Sequence, residues 1–456
     1  MKEISCPLHL NNSHHPKAIA FIFPQGNLTF QEVEQRVQAE QDFLIANGVS
    51  HGTRVGILSP HSPEYMILLL ALWRIGGVAC LLSPRSPKKE IQKQIRELNC
   101  LYTDPSLRGA FWATKQSQKT RLPRQSRHSF LAMTQMPLNT PATIMLTSGS
   151  SGAPKAVVHT IANHYFNARG SDENIPVKPG DRWLLFLPLY HVSGLSILWR
   201  CVLGGGAVVL PDESLSLQKN IQKFSITHVS LVTTQLIRFL KKKKNIKILK
   251  KLKAILLGGG PVPDELIQKC QRLKLPVYIT YGLTEMASQV ATSKKGGATP
   301  FLLPYREIKI SADGEILVRG KTLFKGYLKN GKLVRPLDKQ GWFRTGDLGS
   351  YDSKGGLKIL GRKDNLFISG GENIYPEEIE QAILNTKLVE QAIVVPVKHH
   401  DFGARPVAYV NSLKNTISLK KALAKILPSF KIPDRFYALP KTTGLKLNRK
   451  ELTRLI

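Results

Sequence analysis

The feature that most limits the possible folds is a regular alternation of short apolar runs with amphipathic, helix-like segments. The apolar runs have the length and composition of buried strands, and they lie at residues 54–59, 181–189, 206–211, 227–233 and 253–259. Between the runs lie segments such as 29–48, whose apolar residues recur at helical spacing. Strands that alternate with helices predict an α/β fold with mainly parallel sheets covered by helices.

The pattern changes in the last third of the 456-residue chain. Residues 307–320 predict a β-hairpin, because two alternating runs are joined by an Asp-Gly turn. A small α+β pattern begins after Gly361, with an amphipathic helix over 374–384 followed by a strand. We therefore predict a large N-terminal domain over residues 1–361, with helices, mainly parallel sheets and a β-rich part, and a small α+β C-terminal domain over 362–456.

The charge balance is the outlier in the composition. The chain has 65 lysines and arginines against 32 acidic residues, a formal net charge of +33. Such an imbalance concerns partners and solubility rather than fold, and it suits nucleic acid, an anionic membrane surface or polyanionic small molecules. The densest basic run, residues 241–253, has no interleaved aromatic residues for stacking on bases. We interpret it as a solvated helix face and loop, and we expect no nucleic-acid partner.

Nothing in the sequence indicates export or a membrane span. The five cysteines form no CxxC pair, so neither a disulfide framework nor a zinc site is indicated. The N-terminus lacks the apolar core of a signal peptide. The longest apolar stretch, 66–82, falls short of the roughly 20 residues that a span needs, and we interpret it as a buried helix that ends at glycine and leads into a strand. We expect a cytoplasmic protein without a transmembrane segment, and we leave open whether it is a homo-oligomer.

A segment rich in Gly, Ser and Thr follows a strand-like run at residues 145–160. Small residues allow backbone N–H groups and hydroxyls to close around phosphate oxygens. The spacing is not that of a P-loop, because Gly149 and Gly152 are too close together and Ala156 follows Lys155. The whole string resembles the phosphate-binding signature of the adenylate-forming superfamily, which includes acyl-CoA synthetases, luciferases and peptide-synthetase adenylation domains. The departures from that signature, Ser151 and Ala156, are both small residues.

Further motifs of the same superfamily follow in the superfamily's order. In chain order, they resemble the superfamily's segments at the acyl pocket, the adenine loop, the adenine-stacking segment, the ribose, the hinge and the catalytic lysine. In the same order, they lie at residues 186–195, 256–263, 281–289, 341–349, 361–380 and 444–452. Each motif alone is explained as well by a turn, a helix cap or a packed core residue. Their common order over about two thirds of the chain favours the superfamily.

The resemblance implies an ATP and AMP site. Its nucleotide-binding positions correspond to Thr147, Ser148, Gly149, Ser150, Ser151, Gly152, Lys155, Gly258, Gly259, Gly260, Tyr281, Gly282, Asp347 and Arg362. Tyr281 would stack on adenine, and Asp347 would accept hydrogen bonds from the ribose hydroxyls. Thr284 would contact phosphate, and Glu285 would hold Mg²⁺, for which a carboxylate is a suitable ligand.

The resemblance also implies catalytic and mobile parts. Lys446 corresponds to the catalytic lysine, although the glycine of that motif is displaced, so Lys441 and Lys450 stay open as alternatives. Asp364 would be the hinge, and Gly370 and Gly371 would form a loop beside the channel for CoA. His191, also counted among the catalytic positions, takes the aromatic-or-histidine position at the acyl pocket.

Several strings resemble the short bacterial 2-succinylbenzoate–CoA ligases of menaquinone biosynthesis, and they lie at residues 155–160, 188–200, 230–240, 364–380, 402–408 and 444–449. This resemblance implies ligation of an aromatic dicarboxylate to CoA through an acyl-adenylate, at the expense of ATP. A second substrate carboxylate would need polar partners, and the candidates beside the acyl pocket are Arg200, Arg238, Ser288 and Gln289. Each arginine is also explained by a surface ion pair or a helix end. Another acyl- or aryl-CoA ligase, or an enzyme that loads a carrier protein, remains an alternative.

Overall fold

The computed structural model describes residues 2–103, 111–112, 134–147, 154–440 and 449–456. The chain divides into two compact units. The first unit consists of Met1–Gly259, Leu275–Glu307 and Val318–Phe343. The second unit consists of Gly260–Lys274, Ile308–Leu317 and Arg344–Ile456. The domain boundary near residue 361 stays a prediction.

The helices of the described residues are α1 (Pro7–His14), α2 (Phe30–Ala46), α3 (Pro63–Arg74), α4 (Lys88–Leu98), α5 (Ile161–Asp172), α6 (Val192–Gly204), α7 (Leu217–Lys223), α8 (Thr233–Leu240), α9 (Lys243–Leu249), α10 (Asp264–Arg272), α11 (Pro376–Asn385), α12 (Thr416–Leu423) and α13 (Arg449–Thr453). Short 3₁₀ turns cover Thr284–Met286, Lys363–Asn365 and Ser429–Lys431.

The strands up to residue 292 are β1 (Glu3–Ser5), β2 (Ile19–Phe23), β3 (Gly26–Thr29), β4 (Arg54–Ile57), β5 (Val78–Leu81), β6 (Leu101–Thr103), β7 (Phe111–Trp112), β8 (Gln135–Pro137), β9 (Pro141–Thr147), β10 (Lys155–Thr160), β11 (Arg182–Leu184), β12 (Ala207–Val209), β13 (His228–Leu231), β14 (Ala254–Leu257), β15 (Val277–Leu283) and β16 (Ser288–Thr292). The later strands are β17 (Phe301–Leu302), β18 (Arg306–Ile310), β19 (Glu315–Gly320), β20 (Gly326–Lys329), β21 (Lys332–Val334), β22 (Phe343–Tyr351), β23 (Leu357–Arg362), β24 (Phe367–Ser369), β25 (Glu372–Ile374), β26 (Ala392–His399), β27 (Gly403–Val410) and β28 (Phe436–Ala438).

The first unit is built on two large sheets. One sheet has the order β21-β20-β10-β9-β5-β4-β6-β7, and the other has the order β17-β16-β15-β14-β13-β11-β12-β2-β3. In the second of these, the pairs from β15 through β14, β13, β11 and β12 to β2 are all parallel. The predicted α/β class with mainly parallel sheets is therefore confirmed.

The apolar stretch 66–82 folds as its sequence predicts. Helix α3 begins after Ser62, whose side chain accepts a hydrogen bond from the Tyr65 N–H, and its residues from Tyr65 onward are buried. The chain turns at Gly76, which has a φ of +72°, a conformation that favours glycine. Strand β5 follows, and all four of its residues are buried. Helix α3 and strand β5 are therefore both buried. Among the described residues, none of the helices combines the length and the apolar composition that a membrane span needs.

The second unit contains smaller sheets. Their orders are β18-β19-β22-β23, β24-β25 and β26-β27-β28. The pairing of β18 with β19 confirms the hairpin predicted over residues 307–320. Helix α11 packs through Ile379 and Ile383 onto a core that includes Val394 of β26 and Ala408 of β27. This confirms the predicted helix and strand of the C-terminal α+β module.

The basic run and the cysteines also lie as predicted. The lysines of residues 241–253 are exposed on and around helix α9, so the run is a solvated face. All five cysteines are free thiols and are buried.

Candidate active site

The Thr284–Met286 turn lies between strands β15 and β16. The Tyr327 hydroxyl on β20 donates to Glu285 Oε1 at 2.7 Å. The Lys155 Nζ atom lies 5.3 Å from the centroid of the Tyr327 ring. The structure thus brings two predicted site residues, Lys155 and Glu285, to the same tyrosine.

The predicted phosphate loop connects β9 to β10. Thr147 and Lys155 are paired across these antiparallel strands, and the Thr147 hydroxyl lies 3.5 Å from the Lys155 carbonyl oxygen. Two of the predicted phosphate-site residues, Thr147 and Lys155, therefore lie side by side. The predicted positions Ser148, Gly149, Ser150, Ser151 and Gly152 lie outside the described residues.

A pair of buried histidines lies behind the Thr284 turn. His159 Nε2 donates to the Thr284 carbonyl oxygen at 2.7 Å. The Thr143 hydroxyl links the two rings, at 3.3 Å from His159 Nδ1 and 2.9 Å from His164 Nε2. Burial lowers the pKa of His159 to about 4, and it lowers the pKa of His164 as well. Both imidazoles are therefore neutral at pH 7, and the His159 ring supports the turn as a hydrogen-bond donor.

The predicted adenine-side residues lie on β15 and after β14. A Cβ atom on Gly282 would lie 2.1 Å from the Ser288 carbonyl oxygen. Glycine is therefore required where β15 meets β16, and the register of the two strands shifts between Tyr281 and Gly282. Gly258 is also close to its neighbour, since a Cβ there would lie 2.6 Å from Thr280 Cγ2. Gly259, with a φ of +83°, and Gly260 follow it.

The two candidate arginines differ in their surroundings. Arg200 lies on helix α6 and is 3% exposed, whereas Arg238 lies on helix α8 and is exposed. His191 is also exposed and occupies the N-cap position of α6, so the α6 segment carries both His191 and Arg200.

Arg200 is a buried cation with little compensation. Its Nη2 donates to Gln289 Oε1 at 2.6 Å, while Nε and Nη1 have no hydrogen-bond partner among the described residues. The guanidinium carbon lies 5.2 Å from the Trp183 ring centroid. Burial lowers the pKa of Arg200 to about 10, so the side chain is still protonated at pH 7. No carboxylate of the described residues forms an ion pair with it.

The orientation of the Gln289 amide is fixed by a chain of hydroxyls. Gln289 Nε2 donates to Thr292 Oγ1 at 2.9 Å. Thr292 Oγ1 lies 2.9 Å from Thr280 Oγ1, and the Thr280 hydroxyl donates to the Ala291 carbonyl oxygen at 3.1 Å. The amide oxygen of Gln289 must therefore face Arg200. Ser288 lies beside this network, with its hydroxyl 3.4 Å from that of Ser196.

The second unit holds the residues predicted to bind ribose and to form the hinge. Asp347 on β22 is paired across the strands with Arg362 on β23. Arg362 Nη1 donates to Asp347 Oδ1 at 3.0 Å and to the Thr345 carbonyl oxygen at 2.8 Å. Arg362 Nη2 donates to Asp364 Oδ2 at 3.0 Å. One arginine thus contacts both predicted acidic residues.

The predicted CoA-side glycines form the turn between β24 and β25. Gly370 and Gly371 have φ values of +58° and +88°, as a two-residue hairpin turn requires. A Cβ on Gly370 would lie 2.9 Å from Phe402 Cδ1. Of the three candidate lysines, Lys441 and Lys446 lie outside the described residues, and Lys450 lies on helix α13.

Four residues that contact this site were not predicted from the sequence. They are His159, Asn167, Arg306 and Tyr327. His159 had a local signal, because a histidine within an apolar strand is unusual. The other three belong to no recognisable motif and reach the site only through tertiary packing.

Family models and relatives agree on what the chain resembles. The model described as "AMP-binding enzyme" matches residues 8–328, and the model described as "AMP-binding enzyme C-terminal domain" matches residues 378–446. The 2-succinylbenzoate–CoA ligase of Salmonella typhimurium is 36% identical, over 93% of this chain and 92% of the relative. The enzyme of the same name from Haemophilus influenzae is 37% identical, over 95% of this chain and 94% of the relative.

Solved structures agree with the sequence relatives. The o-succinylbenzoate CoA synthetase of Bacillus subtilis in complex with its acyl-adenylate intermediate has a TM-score of 0.85 and 30% identity, over 99% of this chain and 98% of that chain. The same enzyme in complex with ATP and a magnesium ion has a TM-score of 0.83 and 30% identity, over 99% of each chain. The chain belongs to the AMP-binding, adenylate-forming enzymes, and among them to the 2-succinylbenzoate–CoA ligase family.

Proposed function

We propose that this enzyme ligates 2-succinylbenzoate to CoA in two half-reactions, as a step of menaquinone biosynthesis. In the first, a carboxylate oxygen of the substrate attacks the α-phosphorus of ATP, diphosphate leaves, and an acyl-adenylate forms. In the second, the CoA thiol attacks the acyl carbonyl, a C–S bond forms, and AMP leaves with the bonding electrons of the C–O bond. The relatives whose structures hold ATP with magnesium, or the acyl-adenylate, support both the nucleotide and the intermediate.

The observation that carries the choice of substrate is the buried Arg200. An uncompensated buried charge is costly, and the cost is accepted where a ligand supplies the counter-charge. The Nε and Nη1 atoms carry N–H groups that have no partner among the described residues, and a carboxylate would accept charge-assisted hydrogen bonds from them. We assign these N–H groups to the carboxylate of succinylbenzoate that is not activated.

The neutral residues around Arg200 support this assignment. Gln289 presents an amide oxygen to Nη2, and an amide holds the guanidinium without neutralising it. A carboxylate in the same position would form an internal ion pair and compete with the ligand. Ser288 and Ser196 add hydroxyls close to Gln289, so the pocket offers polar partners to an acid that a fatty-acid site would not.

Glu285 is the residue that would hold magnesium. Mg²⁺ in nucleotide sites is usually held by one or two carboxylates together with substrate phosphates. No cluster of three or more His, Cys, Asp or Glu ligands occurs in the part of the chain that the structure describes, which suits such a site. The Tyr327 hydroxyl orients the carboxylate through Oε1. When bound, the ion would neutralise charge on the phosphates.

The remaining site residues are assigned by their motifs. Tyr281 and the Gly258–Gly260 segment would face adenine, and Thr284, Lys155 and the 148–152 loop would contact phosphate. Asp347 and Arg362 would bind ribose and phosphate. Lys446 would neutralise charge in the first transition state, and the Gly370–Gly371 turn would lie beside CoA in the second half-reaction after rotation about Asp364.

Two further points belong to the same proposal. We place the enzyme in the cytoplasm, which is consistent with five free thiols. The basic surface would attract ATP and CoA, which are both polyanions, so it needs no nucleic-acid partner.

The test compares Arg200→Met with Arg238→Met. Removing one member of a buried charge pair costs about 3–5 kcal/mol, which corresponds to a rise of roughly 150- to 5000-fold in KM. We expect this rise for succinylbenzoate in Arg200→Met, with the KM for ATP nearly unchanged, and no rise in the exposed-arginine control. Wild-type KM values in both variants would show that the distal carboxylate is held elsewhere.

A substrate panel tests the acid itself. Thioester formation by the wild-type enzyme is measured with succinylbenzoate, benzoate and a medium-chain fatty acid. A site with an unpaired buried arginine should strongly disfavour acids that leave it unpaired. Preference for benzoate or the fatty acid would replace succinylbenzoate as the substrate while leaving the adenylate chemistry intact.

A further inference from the structure

A second buried arginine lies behind Arg200. Arg306, at the start of β18, is 4% exposed. It donates from Nε to the Gln289 carbonyl oxygen at 2.8 Å, from Nη1 to the Pro304 carbonyl oxygen at 2.5 Å and from Nη2 to the Asn167 carbonyl oxygen at 3.1 Å. All three partners are neutral backbone groups, and these contacts tie β18, α5 and β16 together.

The arginine is fitted closely to its surroundings. A Cβ atom on Gly170 of α5 would lie 2.1 Å from Arg306 Nη1, so the guanidinium packs directly against the helix backbone. Burial, together with the charge of Arg200, lowers the pKa of Arg306 to about 9. Keeping two cations buried near each other is unfavourable for stability, which indicates a role in the site.

The backbone that Arg306 holds is strained. Ala287 and Ser288 have φ values of +56° and +132°, which non-glycine residues rarely adopt and which cost of order 1–3 kcal/mol each. Strained segments persist only where neighbouring contacts over-determine them. Asn167 Nδ2 donates to the carbonyl oxygens of Met286 and Gln289, at 3.0 and 3.1 Å, and Arg306 adds the third hydrogen bond. These hydrogen bonds therefore hold the backbone on both sides of Ala287 and Ser288.

The clamped residue is also the one that orients Arg200. The Gln289 carbonyl oxygen is held by Arg306 and Asn167, and its side-chain oxygen accepts from Arg200. A shift of the Gln289 backbone would carry its amide away from Arg200. The position of the Arg200 guanidinium thus depends on the Gln289 backbone, which Arg306 holds through the carbonyl oxygen.

We propose that Arg306 is a positioning residue for substrate selection, which holds Gln289 so that the unpartnered N–H groups of Arg200 face the second carboxylate of the acid. The inference rests on the proposed function, in which Arg200 binds that carboxylate. Arg306 itself does not touch the acid, because Nε, Nη1 and Nη2 all donate to backbone carbonyls.

The test is a double-mutant cycle between Arg306 and Arg200. Small misplacements of a positioning group cost up to about 100-fold, so we expect Arg306→Gln to raise the KM for succinylbenzoate roughly 10- to 100-fold. Arg306→Lys, which keeps the charge but not the three-way contact, should lie between Arg306→Gln and wild type. The KM for ATP should stay near its wild-type value in both. Combined with Arg200→Met, neither substitution should raise the succinylbenzoate KM further.

The control variant is Arg319→Gln, which removes an exposed arginine paired with Glu307 and should change neither KM. Thermal unfolding midpoints identify variants that fold poorly. If Arg306→Gln does not fold, the KM of Arg306→Lys for succinylbenzoate tests the proposal. Additive KM effects with Arg200→Met, or equal rises for acid and ATP, would reduce Arg306 to a structural residue and overturn the proposal. Unchanged KM values in both Arg306 variants would do the same.

The two proposals fail in different ways. If wild-type enzyme does not use succinylbenzoate, the proposed substrate fails, and if Arg200→Met leaves the KM for succinylbenzoate unchanged, the assignment of Arg200 to the second carboxylate fails. If Arg200→Met raises that KM while the Arg306 variants do not, only the positioning role fails.

Discussion

At the scale of single residues, one short segment carries the side chains that we assign to both reactants. Glu285 accepts a hydrogen bond from Tyr327 and is assigned to the phosphates, and Gln289, four residues later, accepts one from Arg200, which is assigned to the acid. The reaction must hold a carboxylate against a phosphorus atom in a fixed geometry. A strained, clamped turn between the two residues fixes their spacing better than a flexible loop would.

The Tyr327 hydroxyl gives a prediction at this scale. Tyr327→Phe removes the hydrogen bond to Glu285 Oε1 and leaves the ring in place. Loss of a group that orients a metal ligand typically weakens metal affinity by about 10- to 100-fold. We expect the magnesium concentration for half-maximal ATP–diphosphate exchange to rise roughly 10-fold. Calorimetry should show weaker binding of magnesium-ATP, with ATP binding in the absence of magnesium little changed.

The control for Tyr327→Phe is Tyr351→Phe, which removes a hydroxyl from an exposed tyrosine. It should not change the magnesium dependence. A Tyr327→Phe enzyme with a lower turnover but an unchanged magnesium requirement would contradict the orienting role.

How far the site was predictable differs between its residues. Thr284 and Glu285 were predicted because a contiguous motif carries them, and their roles stay predictions. Arg200 and Arg238 were equivalent in sequence, since spacing along the chain does not say which side chain points inward, and only packing distinguishes the buried one from the exposed one. Arg306 and Tyr327 come from strands remote in sequence, so no local pattern could assign them to the site.

At the scale of elements, the β9–β10 hairpin and helix α5 are joined by polar groups inside an apolar core. His159 on β10 and His164 on α5 share the Thr143 hydroxyl of β9. His164 also stacks on Trp199 of α6, with ring centroids 5.7 Å apart. Strand β10 is therefore joined to α5 through two buried rings whose pKa values are lowered by burial, so both are neutral at pH 7.

This pairing predicts a dependence of stability on pH. Burial lowers the pKa of His159 from 6.5 to about 4, so the folded protein binds fewer protons there than the unfolded chain. The contribution is fully present above pH 6.5 and is lost as the pH falls from 6.5 to about 4. At 1.36 kcal/mol per pKa unit, His159 alone accounts for about 2–3 kcal/mol of the unfolding free energy lost by pH 4.5.

The measurement is urea unfolding of wild type and His159→Gln at pH 6.5, 5.5 and 4.5. Glutamine keeps a donor near the Thr284 carbonyl but does not titrate, so the variant should lose less stability across this range. Carboxylates titrate in the same range in both proteins, and the difference between the proteins isolates the histidine. His400→Gln, at a 97% exposed side chain, should follow wild type. Parallel curves for His159→Gln and wild type would rule the contribution out.

The elements themselves were largely predictable, and their arrangement was not. Apolar runs marked β4, β12, β13 and β14 because buried strands need contiguous apolar residues. The antiparallel insertion of β10 between β9 and β20 depends on a pairing across some 170 residues. The local pattern of apolar residues does not indicate which distant strand pairs with β10.

At the scale of the whole molecule, the compact units are not contiguous in sequence. Gly260–Lys274 and Ile308–Leu317 belong to the second unit although the chain around them belongs to the first. The sequence pattern predicts one boundary, near residue 361. It does not indicate that a compact unit is assembled from separate segments of the chain. The position of a hinge must therefore be tested by its effect on the two half-reactions.

Asp364 is suited to such a test. It lies in the Lys363–Asn365 turn, whose hydrogen bond runs from the Leu366 N–H to the Lys363 carbonyl oxygen. Proline at this position fixes φ near −65°, a value that 3₁₀ turns adopt. The substitution therefore prevents a change of φ at this residue.

If the second half-reaction requires rotation about Asp364, Asp364→Pro should keep ATP–diphosphate exchange within a few-fold of wild type and lose most thioester formation from supplied acyl-adenylate. Asp364→Ala is the matched control, because it also removes the exposed ion pair with Arg362, worth about 0–1 kcal/mol, but leaves φ free. Asp364→Ala should keep both half-reactions. Equal losses in the two variants would assign the effect to the ion pair, and normal thioester formation by Asp364→Pro would place the hinge elsewhere in the chain.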